Sequence, residues 1–221
     1  MAKEEREAVA RTAEIAREYG PFPHGERVHG VTYDGERIWF AAGDRIQSVD
    51  VERGVPGAHF KVAAEAGTAF DGRHFFQIAG DRIQKIDAKT GEVLGTIPTP
   101  GPAGQNTGLT WADGTLWVGQ LKSRRLVQID AETGRVLRTV ESSRFVTGVT
   151  FVDGELWHGT WEDDKSDLRR VDPETGTVLE RLEMPEGIYV SGLESNGDDL
   201  FFCGGGPTGK IRAVRKPRRS R

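Results

Sequence analysis

The chain has 221 residues, 29% of them Asp, Glu, Lys or Arg, with a formal net charge of -4 and an isoelectric point near 5.8. That balance gives no electrostatic case for nucleic acid or an anionic membrane as partner, and neither is predicted. A single cysteine, Cys203, excludes an internal disulfide framework. No stretch has the apolar length of a signal peptide or a membrane span, so the expected location is the cytoplasm.

In chain order, residues 1–20 are predicted to be an N-terminal helical extension. Ala8, Val9, Ala13, Ile15, Ala16 and Tyr19 give a weak apolar side over 3–19, and Gly20-Pro21 ends the run. Such a helix would cover an open sheet edge or mediate a homodimer, and the sequence leaves both open. Residues 21–216 are repetitive: AGDRIQSVD at 42–50 returns as AGDRIQKID at 79–87. Aligned with itself, the chain yields five copies, beginning GVTYDGERIWF at Gly30, GTAFDGRHFFQ at Gly67, GLTWADGTLWV at Gly108, GVTFVDGELWH at Gly148 and SGLESNGDDLFF at Ser191. Each has a D-G or N-G pair, an aromatic-centred run and further short β-like runs, and three copies carry T-G followed by V-L. A period of about 40 residues with four short strands predicts an all-β fold, a single five-bladed β-propeller with an N-terminal helix. The last copy has room for three strands. Its outer strand is expected from residues 21–28, PFPHGERV, or from a substitute element. Residues 217–221 are predicted to be a basic, disordered tail.

Two columns of the repeat have structural explanations. Trp39, Phe75, Trp117, Trp157 and Phe201 share one position of the second strand, where a large flat side chain fills the wedge between twisted sheets. Asp50, Asp87, Asp130 and Asp172 end the third strand, where a carboxylate caps the backbone N–H groups of the turn that follows.

Other motifs do not carry chemistry. CGGGPTGK at 203–210 matches two phosphate-loop patterns, but no helix pattern follows and Ile211 stands where a hydroxyl residue is needed. His24, His29, His59, His74 and His158 show no metal-ligand spacing, so neither a metal nor a cofactor is predicted. WEDDKSD at 161–167 lacks the glycine of a calcium loop.

In a propeller the first strands begin and the second strands end on one face, around the axis, and function is expected there. The alignment places His29, Gln77, Asn106, Gln120, Lys122, His158, Trp161, Tyr189 and Cys203 at this mouth as ligand-binding candidates, with Gln105, Thr107 and Arg144 nearby. Trp161 stands out because it lies beyond its repeat column, in a loop among charges.

GLTWADGTLW, VDGELWHGTW and DPETGTVLERLEMP resemble the plant and bacterial-type glutaminyl-peptide cyclotransferases, which are five-bladed propellers. The likeness covers most of residues 29–214. It implies an acidic residue after the first-blade aromatic and a lysine in the last-blade T-G-K segment, but Phe40 and Gly205 occupy those places. The expected function is therefore binding of a small polar molecule or peptide end in the axial pocket. The alternatives are a divergent cyclotransferase- or lyase-type enzyme, with His29 or Glu162 as proton carrier, and a protein-interaction scaffold.

Overall fold

The computed structural model describes residues 8–23 and 27–217. The N-terminal segment departs from the expectation of a helix: β1 (Val9–Thr12) and β2 (Ile15–Tyr19) are both strands, and no α-helix forms among the described residues. Residues 1–7, and 218–221 of the predicted tail, lie outside the described residues, as does His24.

Blade 1 comprises β3 (Val31–Tyr33), β4 (Arg37–Ala41), β5 (Ile46–Asp50) and β6 (Pro56–Phe60). Blade 2 comprises β7 (Thr68–Phe70), β8 (His74–Ala79), β9 (Arg82–Asp87) and β10 (Val93–Pro98). Blade 3 is built from β11 (Asn106–Ala112), β12 (Thr115–Gln120), β13 (Arg125–Asp130) and β14 (Val136–Glu141). Blade 4 is built from β15 (Phe145–Val152), β16 (Glu155–Glu162), β17 (Lys165–Val171) and β18 (Val178–Glu183). Blade 5 has β19 (Gly192–Ser195), β20 (Leu200–Gly204) and β21 (Ile211–Arg215). Each blade is an antiparallel meander, as the short runs and tight turns dictate.

The N-terminal strands settle closure. β2 pairs antiparallel with β21 and supplies the fourth strand of blade 5, the role expected of residues 21–28. β1 adds a fifth strand to blade 4, running parallel to β18 with Arg11 opposite Leu182. The reason is the unpaired N–H and C=O groups on the outer edges of blades 4 and 5, which the strand satisfies and a helix would not.

Around the axis the inner strands touch backbone to backbone at Gly30, Gly67, Gly108, Gly148 and Gly192. A Cβ on Gly148 would lie 2.5 Å from the Leu193 nitrogen, and one on Gly192 would lie 2.7 Å from the His29 oxygen. Any side chain there would push adjacent blades apart, which is why each copy opens on glycine or places it second. The aromatic column fills the wedges farther out: Trp117 packs with Leu126, Val146 and Val149, and the Trp157 and Phe201 rings meet at 4.9 Å. Asp50, Asp87, Asp130 and Asp172 each accept two backbone N–H groups in the turn that follows. The segment 203–210 runs from the end of β20 into the turn to β21, which is closed by Gly205 N–H to the Lys210 carbonyl, 2.8 Å.

Candidate functional site

The mouth is built where β15 begins, β16 ends and the loop before β19 passes. Trp161 keeps 38% of its surface exposed there. Its indole lies stacked on Phe145, with centroids 6.4 Å apart, and meets Tyr189 edge-on, also at 6.4 Å. The Arg124 guanidinium covers the Phe145 ring at 4.7 Å and pairs with Glu162. Arg144 donates to the Glu162 and Lys165 carbonyl oxygens at 2.8 and 2.9 Å. Three aromatic rings thus form an open ledge whose far edge is held by charge, a surface suited to flat or apolar groups.

The amide-rich pocket read from the sequence takes another form. Gln77 is buried: its Oε1 accepts from Thr68 at 2.6 Å, and its Nε2 donates to the carbonyls of Ala66, Gly67 and Ile78. Asn106 donates to the carbonyls of Gly101 and Pro102, and Gln120 donates to Asn106. These amides satisfy inner-strand and loop backbone where the ladder ends, so they brace the mouth and do not line it. Burial pushes the Cys203 thiol up to about 12, which leaves it an inert packing group. His158 is fully buried, and desolvation lowers its pKa to about 4. Its Nδ1 faces the Gly159 carbonyl at 3.3 Å, and its Nε2 has no protein partner.

Lys122 is exposed, and His29 and Tyr189 are half-buried. Burial, aided by Arg27, lowers the His29 pKa, so its imidazole is neutral at pH 7 and can accept a proton. Glu162, the other proton-carrier candidate, is committed to Arg124.

Sequence reasoning missed two groups. Phe145 precedes the glycine that opens its copy and was outside every column. Glu194 occupies a column that otherwise reads Thr32, Ala69, Thr110 and Thr150, and this departure was the available signal. Its carboxyl accepts from Thr32 Oγ1 at 3.0 Å, from Thr150 Oγ1 and from its neighbour's backbone, Ser195 N–H, at 2.9 Å, bridging blades 1, 4 and 5 beside the axis. It is half-buried. Desolvation raises its pKa to about 7 against the pull of those hydrogen bonds.

Residues 78–192 match the model of a family described as a repeat of unknown function (DUF6923). The chain belongs to that family. The matched repeat runs from blade 2 through blade 4 to the start of blade 5, and so contains the whole Trp161 ledge. None of the curated proteins matches the sequence. Among solved structures, the crystal structure of Myxococcus xanthus glutaminyl cyclase is similar at 19% identity and a TM-score of 0.78, covering 95% of this chain and 98% of that one. At that identity the likeness is one of fold. Phe40 is buried and stacked on Phe22 at 4.7 Å, and a side chain at Gly205 would meet Thr208 and Arg212.

Proposed function

We propose that the protein binds a small polar molecule or a peptide end on the Trp161 ledge at the axial mouth. The observation that carries this reading is the exposure of Trp161 between Phe145 and Tyr189, on the face where the inner strands begin. A tryptophan left open beside two other aromatics supplies a flat apolar wall, and Arg124 and Arg144, both bonded to Glu162, set charge at its edge. The single buried cysteine suits a reducing compartment, and the cytoplasm is proposed on that ground.

A second reading, a divergent cyclotransferase-type enzyme, is favoured by the neutral His29 imidazole and by the fold shared with the Myxococcus xanthus cyclase. It needs a proton carrier beside the ledge. Glu162 would fill that role only by leaving Arg124.

One titration separates these readings. A glutaminyl dipeptide should quench Trp161 fluorescence saturably without being turned over, and Trp161→Ala should weaken binding by about 1–3 kcal/mol. Because Trp161 is a surface residue, that variant should keep nearly the wild-type melting temperature. Equal binding by wild type and Trp161→Ala would refute the ledge. Cyclisation of the dipeptide that disappears in Glu162→Gln would establish the enzyme instead.

A further inference from the structure

The arginines around the Trp161 ledge differ in what balances their charge. Arg124 is paired with Glu162, and the buried Arg169 is paired twice with Asp167, Nε to Oδ1 at 2.9 Å and Nη2 to Oδ2 at 3.1 Å. Arg144 has no such partner. Its Nη2 donates to the Glu162 and Lys165 carbonyl oxygens, and among the described residues no carboxylate lies within 4.0 Å of its guanidinium. Its Nε is buried without an acceptor, and Nη1 is unpartnered among the described residues but open to solvent.

A carbonyl carries only a partial charge, so two of them leave the guanidinium's full charge unneutralised. The cation also stands beside the ledge. Arg144 immediately precedes Phe145, the carbonyl it grips at Glu162 immediately follows Trp161, and Phe145 lies opposite Trp161 in the β15–β16 pair. Two carboxylates oppose an anion there. Asp163 and Asp164 form the turn that Arg144 grips, but both are exposed and farther than 4.0 Å from its guanidinium, where water screens them more than it screens a direct contact. An amine would meet Arg124 and Arg144 at the same edge, with Glu162 already engaged.

For a ligand on this ledge, a reading that rests on the function proposed above, the geometry points to the carboxyl end of a peptide. Its last side chain would lie on the exposed indole of Trp161 beside Tyr189, and its carboxylate would accept from Arg144 Nη1.

Gln-Phe in three forms tests this by titration calorimetry with the whole protein: acetylated with a free carboxylate, amidated with a free amine, and blocked at both ends. The free acid should bind about tenfold more tightly than the blocked peptide, an advantage that shrinks as NaCl rises from about 0.05 to about 0.5 M, while the free amine should gain nothing. Arg144→Gln should bring the acid down to the level of the blocked peptide, and Arg144→Lys should keep part of the difference. A folding defect would weaken all three forms together, so the ratio between forms is the readout. Trp161→Ala should also weaken all three. Equal binding of acid and blocked peptide, or an advantage that survives Arg144→Gln, would overturn the inference and leave the ledge standing. A preference for the amine would overturn it as well and assign the charge contact to Asp163 and Asp164. Phenylpropanoate, with the same ring and carboxylate but no amides, should bind more weakly than the acetylated acid; equal binding would overturn the peptide in favour of a small acid. If no form binds up to about 1 mM, a threshold for even weak recognition, or if Trp161→Ala changes nothing, the ledge falls and this inference with it.

Discussion

Trp117→Ala is expected to destabilise the protein by about 3–5 kcal/mol, the range for removing a large aromatic from a packed core. Trp117 keeps 2% of its surface and fills the wedge between blades 3 and 4, against Leu126, Val146, Val149 and Leu156. The blades are twisted sheets joined by little else at that radius, so neighbouring side chains cannot collapse into the space without shifting a whole strand. Urea denaturation should show a lower midpoint with an unchanged slope. A near-neutral result would mean that blade packing does not depend on the aromatic column. Trp161→Ala is the internal control, since it removes the same side chain from an exposed ledge.

The contrast between these tryptophans marks how much was legible. Trp39, Trp117 and Trp157 recur at a fixed place in each copy, and recurrence identifies a packing role without a structure. The aspartate caps were legible for the same reason. The N-terminal strands were not, because residues 9–19 have an alanine-rich, charged composition compatible with a helix. What decides their conformation is the open edge of two distant blades, and tertiary pairing overrides local propensity there. The mouth was half legible. Alignment put Asn106 and Gln120 at strand ends, where the structure also has them, but whether an amide faces a ligand or a stranded carbonyl depends on where the ladder stops. Trp161 was found because it lay outside its column. Glu194, inside its column but of the wrong chemical type, was the equivalent signal on the axis.

Glu194 also sets the second large effect, a pH dependence visible only by difference. Its folded-state pKa of about 7 lies above the ordinary 4.5, so the native protein holds this proton more tightly than the unfolded chain. Its contribution is therefore complete below about pH 4.5 and is lost as pH rises through 7, a change of about 3 kcal/mol at most. His158 works in the opposite direction. Its pKa is lowered from 6.5 to about 4, so the unfolded chain binds the extra proton and stability rises with pH across that interval. The two slopes largely cancel, and the wild type should show a nearly flat profile between about pH 4.5 and 6.5. Glu194→Gln removes the titration and keeps one acceptor oxygen, enough for Thr150 and the Ser195 N–H, while the oxygen that accepts from Thr32 becomes an amide NH2. Its stability should climb with pH through the histidine window, and above pH 7 it should exceed the wild type, whose carboxylate then sits desolvated without a cation partner in any described contact. Denaturant midpoints of both proteins at pH 5 and pH 8 make the comparison. Parallel profiles would show that Glu194 titrates as it would in water, contributing nothing to closure between blades 1, 4 and 5.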